Sequence, residues 1–514
     1  MRATEPLELA VALDRAAGRR YPLGQQLVDE LRRRVQAGSL GPGDRLPPVR
    51  GLASSLKVTP ETVAGAYKRL VDEGYLRGEV GRGTFVAAPP LRAEEDPLAP
   101  FEAGGSLPPF AEAPTSNELL RLASRPGVVS FAASVAAQEL TPVEALQEAL
   151  RDTLATEGAS ALQVGPTPGY APLRAAIARL LEQRGLDVDE STVCVTSGCQ
   201  QGIDLAAKVF VGAGDAVLVE QPSFLGALEA FRARGARVVG VPIEADGLRV
   251  EALPALIQRH RPKLLYCMPT YQNPTGRSLS SEKRHALLRT AAAFDLPIVE
   301  DDSAGFFNLA SDAPAPASIK ADDTAGYVIH LGTFSKLIAA GLRLGWLVAD
   351  PAVFDKLVAA KYASDLSSDA LVQRAVHRLL VDGALDAHLS RARAEYRVRR
   401  DALLDALHEP DVFPPGVRFD PPDGGFNLWL DLPREGPSST ELFLEAVRRG
   451  VAFVPGPFFF SAGSGGPASS AALRGLRLSY SALAPAELRQ GVERLGAAAW
   501  ALATNSRQVA AVVY

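Results

Sequence analysis

Residues 327–346 read YVIHLGTFSKLIAAGLRLGW. The apolar run Tyr327-Val328-Ile329-His330-Leu331 has the length and composition of a short buried strand. It delivers a small polar turn, Gly332-Thr333-Phe334-Ser335-Lys336, and Arg343, Gly345 and Trp346 follow. A lysine among apolar segments with an arginine close by is expected to hold its proton weakly, because desolvation and a nearby cation both disfavour the ammonium. A neutral lysine attacks an aldehyde, and hydroxyls with an arginine suit a phosphate. Taken alone, a Ser-Lys pair is more often a solvated loop lysine beside a structural arginine, so the reading turns on what surrounds it.

Outward from that stretch, residues 127–514 alternate apolar strand-like runs with amphipathic helices, the pattern of an α/β fold with a mainly parallel sheet. Gly169-Tyr170 precede the helix APLRAAIARLLEQRG. Val193-Cys194-Val195-Thr196 reads as a strand, and Ser197-Gly198-Cys199-Gln200-Gln201-Gly202 as a turn entering the helix IDLAAKVF. Free N–H groups at such a turn make an anion site, although a plain strand-to-helix turn fits the same residues. Ala216–Glu220 is a strand ending in Gln221-Pro222-Ser223-Phe224. Leu264–Pro269 is another, ending in Thr270-Tyr271-Gln272-Asn273-Pro274-Thr275-Gly276, and Pro297-Ile298-Val299-Glu300-Asp301-Asp302 is a third. Ligands sit at the carboxyl ends of parallel strands. Seen singly, Phe224 is also a core aromatic, Asn273–Gly276 an ordinary turn and Asp301-Asp302 capping carboxylates.

Residues 89–126 are dense in Pro, Ala, Gly and Glu, which is linker composition, or an arm laid on the body. Ahead of them, residues 1–88 read as a small head. Apolar Leu23, Leu27, Val28, Leu31 and Val35 give a helix over 21–37, and Leu46-Pro47-Pro48 opens a second through Val49–Ala53. Thr59-Pro60 opens a third over about 60–73, with a hydroxyl cap and proline at its first position, burying Val63, Tyr67, Leu70 and Val71. Gly74-Tyr75-Leu76 and Gly81-Arg82-Gly83-Thr84-Phe85-Val86 read as a two-stranded wing. Three short helices and a wing place one helix in a DNA groove, or form a generic packing module.

Charge separates the two parts. Residues 1–90 hold 14 Lys and Arg against 10 Asp and Glu, and since the whole chain carries −5, the remaining 424 residues carry −9. A basic head on an acidic body hints at nucleic acid at the head. The 514 residues are too many for one core. Three cysteines, Cys194, Cys199 and Cys267, offer no disulfide framework or metal-ligand spacing, which fits a reducing cytosol. No secretory core opens the chain, and no apolar run approaches the roughly 18 residues of a membrane span, so a cytoplasmic protein away from membranes is expected.

The body resembles the fold-type I aminotransferases, which use pyridoxal 5'-phosphate (PLP), most specifically in Asn273-Pro274-Thr275-Gly276, Glu300-Asp301-Asp302, Ser335-Lys336 and Arg343. The head resembles the GntR-type winged helix-turn-helix in Leu46-Pro47-Pro48-Val49-Arg50, Val58-Thr59, Thr62-Val63, Ala66-Tyr67, Glu73-Gly74 and Gly81–Val86. Joined, the two are similar to the MocR/GabR-type regulators. The resemblance implies a DNA-binding head (1–88), a linker (89–126) and a PLP-binding body (127–514). It implies that Lys336 carries PLP, Asp301 pairs with the ring nitrogen, Asn273 with the ring hydroxyl oxygen, and Phe224 stacks on the ring. It further implies that the amides of Cys199 and Gln200, with Thr333, Ser335 and Arg343, hold the phosphate, and that Arg477 clamps a ligand carboxylate. Arg50, Thr59, Thr62, Lys68 and Arg82 are the DNA-facing residues. The implied function is a homodimeric, cytoplasmic transcriptional regulator sensing an amine or amino acid through external aldimine formation. The alternatives are an amino-acid aminotransferase with an accessory head, and a sensor of PLP itself.

Three positions depart from the family pattern. Ser303-Ala304-Gly305 follows the paired aspartates where a tyrosine is usual, and Val164 stands where aminotransferases often supply a tyrosine to the partner's phosphate. Pro60-Glu61 stands where the recognition helix usually begins with an arginine. The first two bear on cofactor binding and turnover, the third on base readout.

Overall fold

The computed structural model describes residues 9, 11, 13–15, 21–36, 39–41, 43–79, 83–87, 123, 127–310, 314–461 and 469–512, with side chains to 504 in the last stretch. Of the sequence expectations, the Gly81-Arg82 turn, the linker 89–126 apart from residue 123, and the tail side chains from Asn505 lie outside the described residues. The chain forms two compact units, 1–107 and 108–514.

The first unit holds three helices, α1 (Leu23–Gln36), α2 (Val49–Leu56) and α3 (Pro60–Asp72), and a hairpin of β1 (Leu76–Glu79) with β2 (Gly83–Val86). Thr59 caps α3 as its sequence suggests: its side-chain oxygen accepts from the Thr62 amide, and Pro60 takes the first helical position. Such a cap stabilises a helix by about 1 kcal/mol. The core is Leu27, Val28, Leu31, Leu52, Ala53, Val63, Ala66, Tyr67, Leu70, Leu76 and Val86. Val71, expected inside, is exposed at 39%. The inward stripe of α3 runs Val63-Ala66-Tyr67-Leu70, and one further residue turns about 100° past it.

The second unit is built on an eight-stranded sheet. Its order is Val193–Thr196, Gly345–Val348, Val328–Thr333, Ile298–Asp301, Leu265–Cys267, Ala216–Gln221, Arg237–Glu244 and Gly247–Leu248. The five strands from Val328–Thr333 to Arg237–Glu244 run parallel, and antiparallel pairings close both sides. Strand side chains alternate between two cores: Val299, Ile329 and Leu331 enter one, Ile298 and Val328 the other. Burial on both faces explains why these strands read as continuous apolar runs. A four-stranded antiparallel sheet carries Asn427–Asp431 and Gly475–Ser479 side by side.

Two local boundaries differ from the sequence reading. The strand that begins at Val328 continues through Gly332 and Thr333, which pair with Trp346 and Gly345. Lys336 therefore rides on a one-turn helix, Phe334–Leu337, and not on an open turn. The helix expected from Ile203 begins at Cys199, because Gly198 adopts φ +82° and starts it four residues sooner.

Leu70 is 1% exposed at the centre of the head core. Leu70→Ala should cost about 2–5 kcal/mol. The expected readout is lost hydrogen-exchange protection over residues 23–86 with protection over 127–495 unchanged.

Candidate functional site

A cavity of about 680 Å³ opens at the carboxyl ends of the parallel strands. All ten body residues singled out from the sequence line it: Cys199, Gln200, Phe224, Asn273, Asp301, Thr333, Ser335, Lys336, Arg343 and Arg477. They come from five strand ends and one strand of the smaller sheet, which is why they are scattered in sequence.

Asp301 ends the strand Ile298–Asp301 and Lys336 follows the neighbouring strand by three residues, so parallel pairing of Leu331 with Asp301 brings them to one rim. The Lys336 Nζ stands 5.1 Å over the Phe426 ring and, among the described residues, makes no hydrogen bond. Enclosure by protein disfavours its charge, Arg477 repels it, Asp301 opposes both, and the amine settles at about 8. The Asp301 carboxylate accepts from the Tyr266 hydroxyl (2.8 Å) and the Ser303 amide (3.1 Å).

The same cavity contains an anion cup. The 12-residue helix Cys199–Phe210 starts there with no side-chain cap. Gly198 faces it closely: a Cβ there would lie 3.3 Å from the Arg343 guanidinium and 3.7 Å from the Thr333 hydroxyl. Gly332, Gly345 and Gly198 stack behind the cup so tightly that a Cβ on Gly345 would lie 2.5 Å from the Gly332 carbonyl and 2.8 Å from the Gly198 Cα. Exposed Arg343 donates to the Ser335 hydroxyl and the Ser197 carbonyl (both 3.3 Å), leaving the Ser335 proton for a ligand. Thr333 is differently employed: its hydroxyl accepts from the Ser335 amide and donates to the Leu344 carbonyl. Amides, a hydroxyl and a guanidinium around a helix N-terminus form a donor set that fits a phosphate.

Arg477 enters from the centre of the four-stranded sheet, 8% exposed, and not from an edge. It donates to Asn273 Oδ1 (3.1 Å) and to the Ala132 carbonyl, lies 5.2 Å over the Phe459 ring, and its buried Nε has no partner among the described residues. Burial pulls the guanidinium down to about 10. An under-satisfied buried cation facing a cavity fits a carboxylate ligand.

The residues flanking Asp301 point away from the cavity into a buried polar layer. Asp302 takes a two-pronged ion pair from Arg184 (2.8 and 3.0 Å), both buried. Burial disfavours the Arg184 charge, and Asp302 more than offsets this. Glu300 accepts from Ser318, Ile319 and Lys320 and faces His330 at 3.3 Å; burial works against its charge, yet these partners hold it below the usual carboxylate range.

The sequence reading missed Tyr266, Phe426, Phe459 and the Ala132 carbonyl. Tyr266 sits in the apolar run Leu264–Met268, where a tyrosine reads as core; its only signal was a position one strand over from Asp301. Ser303 lines the cavity, and Val164, 79% exposed, does not. In the head, Arg50 lies in the first turn of α2 and is exposed, as are Thr59 and Lys68, with Thr62 half-buried and hydroxyl to hydroxyl with Thr59 at 3.1 Å. Arg82 lies outside the described residues.

Fold and site together define the class: residues 127–495 match the aminotransferase class I and II family, to which the chain belongs, and residues 23–86 match the gntR family of bacterial regulatory proteins. The chain is thus a GntR-type regulator fused to an aminotransferase domain. Over nearly its whole length it is similar to the HTH-type transcriptional regulator TauR of Rhodobacter capsulatus, 32% identical across 94% of this chain and 98% of that protein. The 2-aminoadipate transaminase of Thermus thermophilus is 41% identical, across 78% of this chain and 98% of its own. The solved α-aminoadipate aminotransferase LysN of that organism, complexed with N-(5'-phosphopyridoxyl)-L-leucine, superposes with a TM-score of 0.71 at 38% identity, covering 79% of this chain and 99% of its own.

Among the described residues no helix is long and apolar enough to cross a membrane, and no cluster of His, Cys, Asp and Glu is suited to a metal.

The Arg184–Asp302 pair generates a stability test. Asp302→Asn leaves a buried guanidinium unpaired and should cost about 3–5 kcal/mol, whereas Arg184→Met with Asp302→Leu should regain most of it. Thermal unfolding of the two variants beside the parent protein measures both.

Proposed function

We propose that this protein is a PLP-dependent transcriptional regulator whose body binds an amino acid or amine and whose head binds DNA, working as a cytoplasmic homodimer. The observation that carries the reading is the convergence of Lys336, Asp301 and the anion cup on one cavity, in a chain that also carries a gntR-family head.

The residues present fit PLP. The cup at Gly198, Cys199, Gln200, Ser335 and Arg343 would take its phosphate, Asp301 its ring nitrogen, Asn273 its ring oxygen, Phe224 its face and Lys336 its aldehyde. When bound, PLP supplies an aldehyde that captures amines and a ring that draws electrons from the captured carbon. Lys336, partly neutral near pH 7, would supply the nucleophilic nitrogen that holds the aldehyde and would leave as a free amine when a ligand amine takes its place. Arg477 holds the ligand carboxylate through its free Nε and by exchanging the Ala132 carbonyl for the stronger anionic partner. Thr333 serves the cup by capping the one-turn helix under Lys336, so its contribution is to orient and not to donate.

In the head, Arg50, Thr59, Thr62 and Lys68 offer charge and hydroxyls to phosphates, with Arg82 added from the sequence alone. The ligand's effect on DNA binding then depends on its unequal affinity for two arrangements of the protein.

A visible absorbance spectrum after PLP addition tests the reading. A band that appears in the parent protein, is absent in Lys336→Ala, and shifts with one amino acid is the expected result; a band of equal strength in Lys336→Ala would defeat it. Arg477→Ala should weaken the amino-acid response by about 10- to 100-fold while leaving the PLP band, since a charge-assisted hydrogen bond contributes about 1.5–3 kcal/mol. If the response to carboxylated and decarboxylated ligands were unchanged, PLP itself would be the signal.

The pH dependence follows from the lowered Lys336. Only the neutral amine reacts, so PLP capture by the cofactor-free protein should rise as pH increases through about 8 and level off above it. Arg477→Leu removes a repelling cation and should move that midpoint upward. Stopped-flow absorbance at several pH values measures it.

A second reading has its own support. The transaminase relative is 41% identical yet aligns over 78% of this chain, against 32% for the full-length regulator. Sustained turnover of an amino donor with a 2-oxoacid would make the body an active aminotransferase as well.

A further inference from the structure

The Asp301 carboxylate has two side-chain oxygens, and both are already engaged from the protein side. Oδ1 accepts from the Ser303 amide at 3.1 Å, and Oδ2 from the Tyr266 hydroxyl at 2.8 Å. Tyr266 lies in the strand Leu265–Cys267, beside the aspartate strand, in register with Val299. Its side chain is fully buried, and its ring meets Phe231 edge-on at 6.1 Å between centroids. Among the described residues the phenol hydroxyl has one hydrogen-bond partner, Asp301. Burial, then the Asp301 charge, push the phenol well above its ordinary range, so it keeps its proton and remains a donor.

The other titratable and charged groups about Asp301 are Lys336 from the one-turn helix, Cys199 from the helix N-terminus, whose thiol also hydrogen-bonds the carboxylate, Cys267 from the neighbouring strand, and Glu220 from the strand beyond it. Lys336 is the one cation in that set. Burial, followed by the Asp301 charge, raises the Cys199 thiol, and burial raises Glu220 to about 7, so neither brings positive charge to the aspartate. Tyr266 is thus the hydroxyl that donates to a carboxylate only 2% exposed.

We propose that Tyr266 is a positioning residue: it holds Asp301 charged and aimed at the ring nitrogen of the cofactor, and so sets on which side of that contact the shared proton rests. The inference rests on the PLP reading above. With the phenol in place, negative charge on Asp301 is stabilised and the proton stays on the ring nitrogen. Without it, the proton moves toward the carboxylate, and the ring loses positive charge and pull on electrons. The Lys336 nitrogen, once condensed with the cofactor, then keeps its own proton to higher pH. Only a proton changes place, and no other reactant is needed.

The test uses full-length protein loaded with PLP, comparing the parent with Tyr266→Phe, which removes one oxygen from the buried ring. The midpoint of the visible-band pH titration should rise by about half to one unit, and PLP should dissociate about 10- to 100-fold more readily, the range of a hydrogen bond to a charged group. The same substitution in an Asp301→Asn background separates positioning from general packing. There Tyr266→Phe should leave the midpoint where Asp301→Asn alone puts it. An unshifted midpoint in Tyr266→Phe, or an equal shift with and without Asp301, overturns the proposal while leaving PLP binding intact. A parent protein that forms no lysine-dependent band overturns the proposal and the PLP reading together.

Discussion

A carboxylate held in the protein interior is the constraint on which this architecture turns. Asp301 is 2% exposed, and an uncompensated buried charge is costly enough to unfold an ordinary domain. Each element around it answers that cost. The aspartate strand lies inside the sheet, between Val328–Thr333 and Leu265–Cys267. Ser303 and Tyr266 donate to the two oxygens. Lys336 and Arg477 face the same cavity, the amine without a hydrogen bond and the guanidinium with its Nε unpaired among the described residues. The result is a site whose charges are mutually compensating and whose free valences all point into one space.

The polar layer behind the strand makes this geometry rigid. Glu300 and Asp302 alternate with Asp301, and each is fixed by its own partners, Ser318, the Ile319 and Lys320 amides and His330 for one and Arg184 for the other. Arg184 lies just beyond the end of the helix Ala171–Glu182, so that helix is tied to the strand end through an ion pair with no exposure to salt or water. A satisfied buried network of this kind specifies one arrangement where an apolar contact would permit several.

Much of this was legible in the sequence, and for physical reasons. Strands buried on both faces are continuous apolar runs, so Val193–Thr196, Ala216–Gln221 and the strand before Lys336 stand out from composition alone. Glycine and polar residues at their ends mark where the chain leaves the sheet, and the family resemblance picked out the ten body candidates that line one cavity. What was hidden is contact across the chain. The Arg477–Ala132 hydrogen bond joins residues 345 apart, and nothing local foretells it. Tyr266 was masked by its neighbours, because a buried phenol with one partner looks like any core aromatic. The misplacement of Val71 has a different origin: a helix stripe has an edge, and one residue of rotation decides on which side a valine falls.

Gly198, Gly332 and Gly345 pack against one another behind the anion cup, and the surfaces that face a ligand's variable part come from elsewhere, from Val135, Phe453, Val454 and Phe459. The cup is consequently a property of backbone, fixed by two glycines with no room for a Cβ, Gly332 and Gly345, and by the left-handed Gly198. The opposing wall is a property of side chains on separate segments. Drift in the wall leaves the floor untouched, so descendants of such a chain can exchange one signal molecule for another without relearning how to hold the group that reads it.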